Sequence, residues 1–84
     1  MSVTAAEPKK RVNPMKLKQM EDRCKQLEQA IAQAETDIAE LEGRPYLNAE
    51  EALRVAGTLE QKRGQLEKAM AEWEETSAAL EAMA

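Results

Sequence analysis

Basic side chains are concentrated in the first third of this 84-residue chain, where their spacing could engage phosphate groups. Lys and Arg neutralise the backbone phosphates of nucleic acids and are the residues on which phosphate recognition depends. Seven basic residues precede position 26, against three acidic ones, so this segment carries +4 and leaves −8 for the remainder. The candidate nucleic-acid-binding residues are Lys9, Lys10, Arg11, Lys16, Lys18, Arg23 and Lys25.

This basic cluster also has a simpler interpretation. A solubilising linker followed by solvated helix edges would show the same charges, and no aromatic residue is interleaved with them to stack on bases. The net charge of −4 argues against general affinity for nucleic acid, so any contact is expected at the amino-terminal end.

The few remaining distinctive side chains are aromatic residues and one thiol. Arg44 and Tyr46 fall in a turn, where they could dock a partner or stack on a base; Tyr46 could equally pack onto Leu47 and Leu53 and close the turn. Trp73 and Cys24 fall on apolar stripes, so we interpret both as core residues rather than as a stacking platform and a reactive thiol.

This composition lacks residue types on which most catalytic and metal-binding sites depend. The chain has no His, which removes the usual general base and the commonest metal ligand, and its one Cys cannot form an internal disulfide. The acidic residues Glu35, Asp37, Glu40 and Glu42 are predicted to lie off the apolar stripe in solvent, where an acid/base pair cannot be tuned. We expect no enzymatic activity, no metal and no cofactor.

Membrane insertion is not expected either. No apolar run approaches the ~20 residues of a membrane-spanning helix. A single Cys suits a reducing compartment, so a cytoplasmic location is predicted.

Heptad spacing determines the elements that must position these residues. Apolar residues alternate at intervals of three and four, which places them on one narrow stripe of a helix, as in a coiled-coil seam. The stripe of the first helix consists of Leu17, Met20, Cys24, Leu27, Ile31, Ala34, Ile38 and Leu41. Asn13 and Pro14 are suited to the helix start, and Gly43 is expected to end it in a left-handed conformation.

A second helix is predicted after a short connection. Asn48 and Glu51 form a capping-box-like start. Its apolar stripe is read as Ala52, Ala56, Leu59, Arg63, Leu66, Met70, Trp73, Ser77 and Leu80. Folding back at the connection sets Leu27 near Leu66 and Met20 near Trp73.

The predicted fold is therefore all-α, a two-helix antiparallel coiled-coil hairpin with a disordered basic amino-terminal leader. Residues 1–12 are assigned to the flexible basic linker and 13–84 to the hairpin, with a helix at 14–42, a tip at 43–48 and a helix at 49–82. A hairpin with one seam encloses no interior, so function is expected to reside in what its surface contacts.

Three segments also carry a family resemblance. A Lys/Arg-rich linker runs into Asn13-Pro14-Met15-Lys16-Leu17-Lys18, a Leu/Glu/Ala heptad helix ends at Leu41-Glu42, and the second helix carries Met70-Ala71-Glu72-Trp73-Glu74-Glu75. From Lys9 to Ala82 the chain resembles the carboxy-terminal domain of ABC-F proteins, the tandem-cassette ATPases related to Uup and to ribosome-associated translation factors. The resemblance implies a coiled coil that assists binding to ribosomal RNA or DNA, with ATP hydrolysed by cassettes elsewhere in a parent protein.

Two other functions fit the same pattern. One is the tRNA-binding hairpin arm of an aminoacyl-tRNA synthetase, which would require a more basic second helix. The other is a protein–protein or dimerisation coiled coil, in which the hairpin associates with a second copy.

Overall fold

The computed structural model describes residues 13–83, which form two antiparallel helices. Helix α1 spans Pro14–Glu42 and helix α2 spans Ala49–Met83. The described residues contain no strand, and the all-α hairpin predicted from the heptads is confirmed. The predicted basic linker at 1–12 lies outside the described residues. Neither α1 nor α2 is long and apolar enough to cross a membrane.

Local sequence explains where α1 begins and ends. The Asn13 side chain accepts a hydrogen bond from the Met15 amide at 2.9 Å, and Pro14 occupies the first helical position. At the other end, the Gly43 amide still donates to the Ala39 carbonyl at 3.0 Å. Gly43 has φ −87° and ψ −4°, so the predicted left-handed conformation is wrong and the helix ends through a right-handed turn.

Reciprocal capping starts α2, as predicted. The Asn48 side chain accepts from the Glu51 amide at 2.8 Å, and the Glu51 carboxylate accepts from the Leu47 amide at 2.9 Å. Two amides that no helical carbonyl can reach are thereby satisfied.

The α1 stripe forms one side of the seam, as predicted. Cys24, Leu27 and Ala34 are buried, and the other five members of the stripe are half-buried. Between residues 13 and 83 no side chain is fully enclosed, because two helices can cover each other on only one face.

The α2 stripe follows a different phase from the one predicted. Val55 is 6% exposed whereas Ala56 is exposed, and Arg63 and Met70 are also exposed rather than packed in the seam. Both phases contain Ala52, Leu59, Leu66, Trp73 and Leu80. They differ in the second seam position of each heptad, which lies either three or four residues after each of these. The structure selects three residues later, where Val55, Lys62, Ala69, Thr76 and Met83 are buried or half-buried. Ser77 of the predicted stripe is half-buried as well and contacts Cys24, so the prediction is confirmed at that position.

The helices are also offset by about one heptad from the predicted register. The prediction set Leu27 near Leu66, but the neighbouring Glu28 accepts a hydrogen bond from Trp73. Asp37 bonds Lys62, which is six residues beyond the α2 position that the predicted register sets opposite Asp37. Cys24 contacts Ser77, which is eight residues beyond the position predicted to face Cys24. In this register Leu27 lies opposite Trp73 and Met20 opposite Leu80, so the predicted pairing of Met20 with Trp73 is wrong.

The offset leaves the start of α2 beyond the end of α1. Residue 42 is level with about residue 58, so residues 49–57 overhang by about 13 Å at 1.5 Å per residue. Residues 43–48 must run alongside this overhanging part of α2 to reach Ala49, which is consistent with the burial of Val55.

Replacing the two interior glycines of α2 with Ala should stabilise the hairpin. A Cβ at Gly57 or Gly64 would meet no atom within 4 Å, so each change gains the helix propensity of Ala, about 0.5–1 kcal/mol. Thermal unfolding followed by circular dichroism should show a higher midpoint for each variant and an additive gain for the double variant. Gly43→Ala is the comparison, since its Cβ would lie 3.4 Å from the Ala39 carbonyl oxygen; a lower midpoint for Gly57→Ala or Gly64→Ala would contradict the open environment of these sites.

The phase of α2 can be tested with one substitution at two sites. Ala69→Asp places a carboxylate in the seam and should lower the free energy of unfolding by about 1–3 kcal/mol more than Ala56→Asp, which places it in solvent. The loss of helix propensity is common to both variants and cancels in the comparison. Denaturant unfolding gives the difference; a larger loss at Ala56 would restore the phase read from the sequence.

Candidate nucleic-acid interface

Three of the predicted phosphate-binding lysines lie exposed along the first half of α1. Lys16, Lys18 and Lys25 are all exposed, and the side chain of Lys18 retains 76% of its accessible surface. Lys18 and Lys25 are one heptad apart, so they project from the same helix face about 10.5 Å from each other. Lys18 approaches Asp22 at 3.7 Å, a solvent-exposed pair that holds the amine only weakly.

The helix terminus adds to the positive potential of this end. The first turn of α1 contains no acidic residue to offset the partial positive charge of its free amides. Asn13 accepts from the Met15 amide through its side chain and from the Leu17 amide through its carbonyl, which leaves the Lys16 amide in this turn. The lysines and the helix dipole therefore favour an anion at the same place.

Arg23 differs from the lysines because it already has a partner. Its guanidinium donates to both carboxylate oxygens of Glu72 on α2, at 2.7 and 2.9 Å, and also contacts Gln26 at 3.3 Å. The hydrogen bond and charge of Glu72 raise the pKa of Arg23, and the same bond lowers the pKa of Glu72. A phosphate at Arg23 would compete with this interhelical pair.

Lys9, Lys10 and Arg11 were predicted to extend the basic cluster. They lie outside the described residues, and their contact with nucleic acid stays a prediction.

The tip presents an apolar surface next to a basic residue. Tyr46 is 50% exposed, Leu47 83% and Leu53 75%, and Arg44 is also exposed. If Tyr46 packed onto Leu47 and Leu53 to close the turn, which is one of its two predicted roles, Leu47 and Leu53 would be covered. The exposure of all three favours the alternative in which the tip contacts a partner.

Trp73 and Cys24 lie in the seam, in agreement with their interpretation as core residues. Cys24 is 8% exposed, with its Sγ 3.9 Å from Ser77 Oγ. Trp73 is half-buried and donates from Nε1 to Glu28 Oε2 at 3.1 Å. The bond fixes the indole ring against α1 and explains how a polar N–H is accommodated at the seam.

Ion pairs that the sequence analysis did not anticipate join the two helices. Lys62 occupies a seam position and bonds Asp37 at 3.1 Å, with side chains 33% and 25% exposed. Asp37 was expected in solvent and is half-buried instead. Hydrogen bonds from Gln33, at 2.9 Å, and from Lys62 lower its pKa. Arg63, which was predicted to lie in the seam, is exposed and bonds Glu42.

Within residues 13–83 no cluster of His, Cys, Asp or Glu is arranged to hold a metal ion. No protein-family model, curated protein or solved structure matches this chain. The candidate interface therefore rests on the geometry of the described residues alone.

The interhelical carboxylates should make the hairpin sensitive to acid. Asp37 and Glu72 have pKa values below their ordinary 3.8 and 4.5 in the folded chain, so they stabilise it above that range and lose this contribution as pH falls through the lowered values. The unfolding midpoint should fall as the buffer is taken from about pH 6 to about pH 3.

The double variant Asp37→Asn, Glu72→Gln should lose part of this pH dependence. Glu40→Gln with Glu75→Gln removes the same charge from exposed positions without breaking an interhelical bond, and serves as the control. Equal slopes for the two double variants would contradict the assignment of the acid sensitivity to Asp37 and Glu72.

Proposed function

We propose that this chain is a non-catalytic coiled-coil arm that assists binding to nucleic acid, either ribosomal RNA or DNA. The observation that carries the proposal is the exposed set of Lys16, Lys18 and Lys25 beside a helix terminus free of acidic residues. A phosphate backbone would follow this edge, with Lys9, Lys10 and Arg11 extending the contact along the leader. Arg23 would contact the phosphate backbone only if its hydrogen bonds to Glu72 were broken.

The rigid rod behind this end supports an arm-like function. Helix α1 has 29 residues, which corresponds to about 43 Å at 1.5 Å per residue. A contact at the amino-terminal end of α1 and a second at the tip formed by Arg44 and Tyr46 would be separated by roughly that length. The arm would thus link nucleic acid at one end to a protein or a base at the other.

The parent protein in this proposal is an ABC-F ATPase, because of the resemblance in the linker, the α1 heptads and the Trp73 segment. ATP hydrolysis would belong to its cassettes, and the arm would act in the cytoplasm with no catalytic residue, metal or cofactor of its own. The tRNA-binding arm of a synthetase is less well supported. Two of the basic residues of α2, Lys62 and Arg63, are bonded to carboxylates of α1.

Charge-matched variants test the nucleic-acid contact. Binding of a fluorescein-labelled DNA duplex and a labelled ribosomal RNA hairpin is measured by anisotropy at several salt concentrations. If four phosphates of a duplex are neutralised, log K should fall against log[salt] with a slope of about −3.6. Lys18→Gln with Lys25→Gln should reduce the slope by about 1.8 and weaken binding to both probes.

Arg54→Gln with Lys68→Gln removes the same charge from exposed sites on α2 and should leave the slope unchanged. Equal losses for the two double variants would show that only net charge matters. No binding at low salt, or no effect of replacing Lys9, Lys10 and Arg11 with Glu, would reject the nucleic-acid function.

A further inference from the structure

An open apolar groove lies between the helices, and its first lining residue on α1, Glu28, is one turn beyond Lys25. Its volume is about 360 Å³, and its floor consists of Ile31, Ala32, Met70 and Trp73. Met70 is 44% exposed, an unusual state for a large apolar side chain beside a coiled-coil seam. The sequence prediction placed Met70 inside the seam, where it would have been covered.

Carboxylates border this floor on both sides. Glu28 and Glu35 of α1 and Glu74 of α2 line the groove. Each belongs to a series of exposed glutamates repeating every seven residues, about 10.5 Å apart along its helix. The series on α1 is Glu21, Glu28, Glu35 and Glu42, and the series on α2 is Glu60, Glu67, Glu74 and Glu81.

Few cations neutralise these two series. Glu42 bonds Arg63, and Glu28 accepts from the Trp73 indole without gaining a positive charge. The other six glutamates form no ion pair within the described residues. The groove is therefore an apolar strip between two rows of negative charge.

We propose that this groove docks a basic amphipathic helix from a partner protein, independently of the nucleic-acid contact. Such a helix would place apolar side chains on Met70 and Trp73 and present Lys or Arg to the glutamate rows on either side. The heptad spacing of both rows matches the repeat of residues along one face of a helix, so successive basic residues meet successive carboxylates. Among the partners that could bind an apolar groove, a basic helix is favoured because its charge is opposite to that of the glutamates.

Other occupants are disfavoured by charge and distance. A second copy would bring like-charged glutamate rows together, and nucleic acid would be repelled by them. The chain's own Lys9–Arg11 run cannot reach the groove. Lys9 precedes Asn13 by four residues, which span at most about 14 Å. Ile31 lies about 25 Å along α1 from Pro14.

Trp73 is the only Trp in the chain, so its fluorescence reports on the groove directly. The probe is a synthetic 14-residue peptide with Leu on one helical face and Lys on the other, titrated into the full chain. A peptide of the same pattern with Glu in place of Lys is the probe control. The Lys peptide should shift Trp73 emission to shorter wavelength and bind more weakly as salt rises, whereas the Glu peptide should do neither.

Two charge-matched double variants decide whether the groove is the site. Glu35→Gln with Glu74→Gln should weaken binding roughly threefold to tenfold, as expected for two solvent-exposed ion pairs. Glu40→Gln with Glu75→Gln should change it less than twofold, since these carboxylates lie outside the groove. Met70→Ala should also weaken binding without altering the circular dichroism spectrum.

Equal weakening by both double variants would show attraction to net charge and overturn the proposal. So would the absence of a Trp73 shift on binding. A dimer in sedimentation, with Trp73 emission shifted in the absence of peptide and restored by Met70→Lys, would assign the groove to a second copy instead.

Discussion

Charged contacts at the edges of the seam fix how the two helices align along their axes. Sliding α2 by one heptad would still give every apolar residue of α1 a seam partner, so burial alone discriminates weakly between the two alignments. The ion pairs distinguish the two alignments. The same slide would bring Gln65 to Arg23, Val55 to Asp37 and Ala56 to Glu42, in place of their present partners. Each pair contributes little as an exposed salt bridge, but all three are lost together in the wrong register.

Lys62 shows how a seam residue can enforce this alignment. Its side chain is two-thirds covered and must bring a positive charge close to the apolar stripe of α1. Asp37 meets that charge and is itself hydrogen-bonded by Gln33. A partly buried amine without a carboxylate would be costly, so any register that separates Lys62 from Asp37 is penalised. A polar group at one seam position thus specifies the register, as in other coiled coils.

The same alignment separates the surface into regions of different charge. The start of α1 carries exposed lysines and no acidic residue in its first turn, whereas Glu28, Glu35 and Glu74 line the open groove. The tip carries exposed Tyr46, Leu47 and Leu53. The start of α1 and the tip lie tens of ångströms apart and can contact distinct partners at once, whereas the groove begins one turn beyond Lys25. This arrangement suits an arm that connects other components.

The two helices, their starts and the apolar stripe of α1 were predictable from local sequence, because heptad spacing, Asn13-Pro14 and the Asn48/Glu51 cap act within a few residues of chain. The left-handed end predicted at Gly43 was not found. The phase of α2 was ambiguous, since Ala56 and Met70 compete with Val55 and Ala69 for the same stripe. Only the tertiary structure decided between them, and with them the register and the exposure of Met70. The reason is that register is set by contacts between residues 21 to 49 positions apart, such as Asp37 with Lys62 and Arg23 with Glu72, which no local pattern encodes.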